Sequence, residues 1–515
     1  MRSIRVLRNI VTNYLRFFIS GALGFVLTPL MVRLLGDGSY GLWVTIFSLT
    51  GYFGLFDQGI RPSLVRYVSR DHTRGDHDGL SRTMSSAFAL YSCAGLITVI
   101  ATVVVALGFP TWFHIAPDRA AEARMTLALA GLSLALGFPF GVFGAALSGI
   151  QRYDLANGIG VAVSLVRAAA FVIVLRLGGG IVGLAWVSLV MSMVGHLLSF
   201  MCARRLIPEL RIGRQYVTRE RLGLVGSYST IALVGALATS LTFQTDALVI
   251  TAFMTAAAVT PFALAAGLVE NVRTLVYSAT WVLSPTASEL ETRGEGDKLH
   301  EMMIVGSKYS VLLAWPILAG LIIFGGNFMT TWVGNKYVES ARLLTILSVP
   351  TLLSLPQSAT SSVLYGVSRH KGVVALSIAN ALVNLALSVW WVRPYGLEGV
   401  AFGTAVPLAL IGGLATLVYG CYALDLHLWR YLWQGMLQPG LVCLTFVAPA
   451  LLIQRLAHPV GWLPLGATCG ACWAVFAACA WVFGIGPQEQ ARWTELVPRL
   501  MGRGGTAVAT GGPGT

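Results

Sequence analysis

Thr73-Arg74-Gly75-Asp76-His77-Asp78-Gly79-Leu80, with Met84 four places on, returns as Thr292-Arg293-Gly294-Glu295-Gly296-Asp297-Lys298-Leu299, with Met303. Each copy is a short charged loop between long apolar stretches. Further out, Leu147-Ser148-Gly149-Ile150-Gln151-Arg152 matches Leu364-Tyr365-Gly366-Val367-Ser368-Arg369 at nearly the same spacing, and Pro139 falls opposite Pro356. Thr111-Trp112 and Ala123-Arg124 echo Thr331-Trp332 and Ala341-Arg342 in the same way. Two similar halves in a polytopic chain commonly enclose a substrate path where they meet. The repeat therefore predicts a carrier.

Composition sets the solvent. Of 515 residues 56% are hydrophobic and 11% charged, against about 25% charged in a soluble domain, and the mean hydropathy is +0.73. Polar residues cluster between apolar runs long enough to cross roughly 30 Å of hydrocarbon. The net charge of +13 lies between spans, where it sets topology; it does not predict nucleic-acid binding. Seven cysteines (93, 202, 421, 443, 469, 472 and 479) fall mostly inside apolar runs. Cys469-Gly470-Ala471-Cys472 has no second ligand pair and no nearby His, so it predicts helix packing and neither a metal site nor a disulfide framework. Arg2, Arg5 and Arg8 precede an apolar run from about 11 to 35 without a small-residue cleavage site, which predicts a retained first span.

The expected architecture is an all-α polytopic membrane protein with about fourteen helices. Candidate spans run 11–35, 40–69, 84–107, 125–149, 155–177, 181–203, 222–253, 256–286, 305–324, 343–365, 373–391, 400–424, 435–455 and 462–484. Arg and Lys concentrate on one side, at 70, 74, 82, 204, 205, 211, 214, 219, 221, 293, 298, 369, 371 and 430, and are sparse on the other, at 119, 124, 336, 342, 393 and 455. Positive charge marks the cytoplasmic side, so both termini are expected there. The basic linker 204–221 divides six-helix halves 1–203 and 222–424. Helices 13 and 14 (425–484) have no counterpart, and the Gly-rich tail 485–515 is expected to be cytoplasmic and largely disordered.

Charges within the spans are costly unless they face a partner or a wet cavity. Arg167 sits mid-span with no acid within a turn, so either a carboxylate from another helix or an anionic ligand must compensate it. Glu270, Asn271 and Arg273 share the middle of helix 8, where Glu270 and Arg273 can pair or can line an aqueous path. Asp57 and Arg61 are four apart in helix 2 and again share a face. Gln244 and Asp246 lie in the outer part of helix 7, where Asp246 either couples to protons or sodium or caps a helical break. Arg61, Arg167, Arg273, Asn271 and Gln244 are the candidate cavity residues; Asp57, Asp246 and Glu270 are the candidates for ion or proton coupling. Arg16 and Arg33 read as snorkelling residues. Tyr52, Tyr228, Asn157, Asn380 and Asn384 can supply hydrogen bonds to sugars.

The stretch Pro29-Leu30…Leu34-Leu35-Gly36-Asp37-Gly38-Ser39-Tyr40-Gly41-Leu42-Trp43, with Asp57-Gln58-Gly59-Ile60 and Arg66-Tyr67-Val68, resembles polysaccharide flippases. These are the O-antigen and exopolysaccharide carriers of the multidrug/oligosaccharidyl-lipid/polysaccharide (MOP) exporter superfamily. Trp332-Val333-Gly334-Asn335-Lys336-Tyr337 and Gly396-Leu397-Glu398-Gly399-Val400-Ala401 carry the same resemblance, which covers about 9–425. It implies two six-helix bundles in a V and a bacterial inner-membrane location. The implied cargo is an undecaprenyl-diphosphate-linked oligosaccharide, with arginines on its headgroup, and a polysaccharide polymerase and chain-length regulator are implied as partners. No nucleotide-binding loop and no large extramembrane segment is present, so a transporter is expected and no resident cofactor. A cation-coupled exporter of small amphipathic molecules is the alternative within the superfamily. A membrane glycan ligase or polymerase ranks third, because the outer loop 108–124 is short.

Overall fold

A computed structural model describes residues 2–486 and 489–490; at 2–11, 13–14, 226–236, 238–239 and 243 only the backbone is described. Tyr228 and the tail beyond 490 thus lie outside the described side chains. The described residues contain helices and turns and no strand. The first half comprises α1 (Arg2–Phe53), α2 (Leu55–Thr73), α3 (His77–Trp112), α4 (Pro117–Gly149), α5 (Tyr153–Arg176) and α6 (Gly180–Leu206). The second comprises α7 (Arg219–Phe253), α8 (Ala256–Thr280), α9 (Leu283–Thr292), α10 (Gly296–Trp332), α11 (Ser340–Ser354), α12 (Gln357–Gly366), α13 (Lys371–Pro407) and α14 (Thr416–Ala423). Then follow α15 (Leu428–Tyr431), α16 (Gln438–Ala457) and α17 (Trp462–Cys479).

The repeat seen in sequence recurs as hydrogen bonding. After α2, the N–H groups of Arg74, Gly75 and Asp76 donate to the carbonyls of Arg70, His72 and Asp71; after α9, Arg293, Gly294 and Glu295 donate to Glu289, Glu291 and Leu290. Gly75 (φ 68°) and Gly294 (φ 71°) supply the left-handed residue this stop requires. The stop after α4 and the stop after α12 also agree: Ile150, Gln151 and Arg152 donate to Ala146, Ser148 and Leu147, as Val367, Ser368 and Arg369 donate to Val363, Tyr365 and Leu364. Asp76 caps α3 by accepting from the Gly79 N–H at 2.7 Å. The basic linker is tied to α3, with Ser81, Ser85 and Ser86 accepting from the N–H groups of Arg211, Gly213 and Thr218.

Several spans are broken where sequence alone reads them as continuous, and the gaps it reads at 36–39 and 392–399 fall on bends at Gly36 and Gly396. Gly36 (φ 74°) bends α1, and the matching place in the second half is the Met254–Thr255 break between α7 and α8. Gly396 (φ 57°) folds α13 back on itself, with Asn384 Nδ2 donating to Thr404 Oγ1 at 3.0 Å across the bend; the matching turn in the first half is Leu177–Gly179. The candidate span 40–69 is interrupted at Gly54, 256–286 at Trp281–Val282, and 343–365 by a 44° bend between α11 and α12. Among the described residues nine helices are long and apolar enough to cross a membrane, or ten with the bent pair counted as one span. The 53-residue stretch Lys371–Ala423 is one of these. At 1.5 Å per residue it would reach about 80 Å if straight, so the bend at Gly396 is what fits it to a bilayer.

The apolar cores explain the shape. At the end away from the basic loops, one cluster joins both halves: Met31, Val32 and Tyr40 pack with Ile250, Phe262, Met329 and Trp332. Towards the basic end the clusters are distinct, although α7 still reaches the first half there: Val225 packs in its cluster and Arg221 pairs with Asp71 of α2 at 3.1 Å. Leu64, Met84, Val142 and Ala203 hold the first half, and Met303, Val363, Leu417 and Tyr431 hold the second together with α16 and α17. A shared core at one end and largely distinct cores at the other divide the molecule into two arms.

Candidate functional site: polar clusters in the two arms

The first-half arm carries a polar cluster drawn from all six of its helices. Arg61 Nη1 lies 3.6 Å from Asp57 Oδ2. Asp57 Oδ1 accepts from the Tyr91 hydroxyl at 2.8 Å. The Arg61 guanidinium also points towards Gly144 of α4, whose missing side chain leaves room for it. From α1, Arg16 donates to Asn157 Oδ1 on α5 at 3.4 Å and lies against Gly160. Arg16 and Arg61 are within electrostatic reach of each other. His196 on α6 approaches Gly137 of α4 and feels the charges of Asp57 and Arg61. Two arginines thus meet one carboxylate. The arginine and aspartate side chains of the ion pair are 44% and 37% exposed, and charge at this depth is tolerated only where water or a polar ligand reaches it.

Arg16 corrects the sequence reading. It does not snorkel away from the bundle but faces Asn157 inside it. Tyr91 and His196 were equally hidden, because their partners lie on other helices and no local spacing announces them.

In the second-half arm Glu270 and Arg273 form the pair their spacing allows, at 2.9 Å, and Arg273 also stacks 5.7 Å from the Tyr277 ring centroid. The two ends differ: the Arg273 side chain is 8% exposed and that of Glu270 52%. Glu270, Asn271 and Thr274 make an open polar strip along α8, which is what a water-facing wall looks like. Arg167 stands elsewhere, exposed on α5 and without an ion pair among the described residues. It does not join the Arg16–Arg61 cluster through any hydrogen bond of its own.

Gln244 and Asp246 separate in space although two apart in sequence. Gln244 packs on Gly51 of α1, at the contact between halves. Asp246 is buried and faces α13: its Oδ2 accepts from Thr404 Oγ1 at 2.8 Å, and Thr404 in turn accepts from Asn384. Asn380 Nδ2 donates to Thr242 Oγ1 at 3.3 Å in the same nest. The Oδ1 atoms of Asp246, Asn380 and Asn384 have no hydrogen-bond partner among the described residues. A helix-break cap is therefore not the role of Asp246. Three buried acceptor oxygens lacking donors are an arrangement that a proton or a hard cation would satisfy. Tyr52, in contrast, bonds Thr245 across the halves at 2.6 Å.

Residues 6–291 match the family model described as polysaccharide biosynthesis protein. The chain belongs to that family. Its relatives include the membrane protein EpsK of Bacillus subtilis (strain 168), 22% identical over 91% of this chain and 94% of that protein. A Shigella flexneri protein named "Putative O-antigen transporter" is 19% identical over 79% and 95%. Among solved structures, the lipid II flippase MurJ in an inward closed conformation superposes over 95% of this chain and 100% of its own, with TM-score 0.69 and 13% identity. An inward-facing multidrug resistance MATE transporter of the MOP superfamily covers 78% and 94%, with TM-score 0.64 and 16% identity. The member of the polysaccharide biosynthesis family described here thus has the MOP transporter fold, with its polar clusters on the two arms of the V.

Proposed function

We propose that this protein is a flippase for an anionic lipid-linked oligosaccharide, an undecaprenyl-diphosphate-linked repeat unit in the bacterial inner membrane. The observation that carries the reading is the Arg16–Arg61 cluster, which holds more positive than negative charge and whose ion pair is partly exposed. A diphosphate and its sugar hydroxyls cannot shed water into hydrocarbon at tolerable cost. Guanidinium forks from Arg16 and Arg61 match phosphate oxygens, while Glu270, Asn271 and Thr274 face sugar hydroxyls from the other arm. The polyprenyl tail stays in lipid. With the basic loops in the cytoplasm, rocking of the halves about their shared core carries the headgroup outward. A polymerase and chain-length regulator would take the product.

The Asp246 nest supports coupling to sodium or protons. Asp246, Asn380, Asn384 and Thr404 offer only oxygen to an ion, which suits sodium, and Asp246 alone suffices for a proton. Arg61→Gln and Arg16→Gln, at unchanged protein level, should each lower surface polysaccharide at least tenfold. Arg167→Gln tests whether a third arginine contributes. Normal polysaccharide in both Arg16 and Arg61 variants, or drug sensitivity without a glycan defect on deletion, would instead favour the small-molecule exporter.

A further inference from the structure

We propose that Asp37, Lys336 and Tyr337 form a latch that holds the two halves together at the end remote from the basic loops, and that it must release whenever the V opens at that end. The inference rests on the two-armed fold and needs no particular cargo.

Asp37 directly follows the Gly36 bend of α1. Lys336 and Tyr337 lie in the short 3-10 turn Asn335–Tyr337 after α10. One oxygen of the Asp37 carboxylate pairs with the Lys336 ammonium and the other accepts from the Tyr337 hydroxyl. The Asp37 backbone carbonyl accepts from Thr260 Oγ1 of α8 at 2.8 Å. A single residue of the first half is therefore held by three side chains of the second, from two separate elements. Left-handed glycines aim both partners: Gly36 at φ 74° and Gly334 at φ 111°.

The layer beneath is closely packed. Thr45 and Thr251 hydroxyls meet at 2.7 Å, Trp332 Nε1 donates to the Phe25 carbonyl at 2.9 Å, and Gly41 abuts the Ala256 carbonyl. Asp37 adds its bonds to Lys336 and Tyr337 to those of that layer. Its strength suits repeated opening. Lys336 is 69% exposed, and a solvent-exposed ion pair is weak. Tyr337 is buried, and that burial together with the Asp37 carboxylate pushes its phenol upward from the ordinary tyrosine value. It therefore remains a donor across neutral and mildly alkaline pH. The two sequence stretches involved, Gly36-Asp37-Gly38 and Gly334-Asn335-Lys336-Tyr337, have no other chemistry assigned to them; meeting one another across the halves gives both a role.

Amide hydrogen exchange of the full-length protein in lipid nanodiscs tests the latch. Asp37→Asn should raise exchange about tenfold in peptides spanning 37–46 and 251–262 and leave those spanning 77–87 at wild-type rates. Lys336→Gln changes an exposed side chain that the fold does not need, and should raise the same two segments severalfold. Unchanged rates in both variants overturn the proposal, as does a rise spread evenly along the chain. Because no cargo is added, a failure here leaves the flippase reading untouched. Conversely, loss of polysaccharide in an arginine variant with wild-type exchange bears on the cargo alone.

Discussion

Arg16 and Asp246 show how a residue acquires its meaning from a distant partner. Read along the chain, Arg16 is a basic residue near a helix end, and snorkelling explains it. Its partner Asn157 is 141 residues away, so no window on the sequence connects them. Asp246 is similar: Asn380 and Asn384 suggest sugar-binding amides until α13 lays them beside the buried carboxylate. Asp246→Asn keeps a carbonyl to accept from Thr404 but removes the charge, so the fold should survive while ion binding is lost. Wild-type protein should gain thermal stability when choline chloride is replaced by sodium chloride, by ~2.7 kcal/mol at a hundredfold excess over Kd. Asp246→Asn should gain nothing. If wild type and variant respond identically to sodium and to pH, Asp246 is not the coupling residue. Glu270 and Arg273, in contrast, form one of the two arrangements their spacing allows, because an i,i+3 contact lies within one helix.

Helices and turns obey rules that a short stretch of sequence contains. The two Thr-Arg-Gly loops form the same left-handed stop because glycine adopts φ near 70° without the cost a Cβ would add. Gly75→Ala and Gly294→Ala should each cost about 1–2 kcal/mol in thermal unfolding, with equal effects in the two halves. Gly24 and Gly41 lie in the same helix and predict opposite outcomes. A side chain on Gly24 meets nothing within 4 Å, so Gly24→Ala should stabilise by ~0.5–1 kcal/mol through helix propensity. A Cβ on Gly41 would stand 1.7 Å from the Ala256 carbonyl oxygen. Backbone cannot swing aside, so Gly41→Ala should destabilise by about 1–3 kcal/mol or more; a neutral effect would mean the halves do not approach as described. What sequence misjudged at this scale was continuity. An apolar run looks the same whether the chain passes through Gly54 or Trp281 straight or broken, because hydropathy does not register φ.

The whole molecule is organised by where its apolar cores join and where they part. Trp332 belongs to the joint core: it is buried, stacks on Phe25 with centroids 5.2 Å apart and donates to the Phe25 carbonyl. Trp332→Ala should cost ~3–5 kcal/mol and should uncouple the unfolding of the two halves. Trp429, 60% exposed, belongs to neither core, and Trp429→Ala should change unfolding by less than ~0.5 kcal/mol. Equal losses from the two substitutions, followed by differential scanning calorimetry, would contradict a single hinge-like core.

By itself the sequence determined the membrane setting, the internal repeat, the capped turns and the residues able to bear charge inside a span. Those follow from local quantities: hydropathy over a window, side-chain spacing on one helix, and the conformational freedom of glycine. Tertiary packing alone decided that Arg16 meets Asn157, that Thr404, itself bonded by Asn384, donates to Asp246, and that Asp37 meets Lys336 and Tyr337. Each of these joins helices far apart along the chain, and helix rotation and crossing are set by contacts summed over the entire bundle.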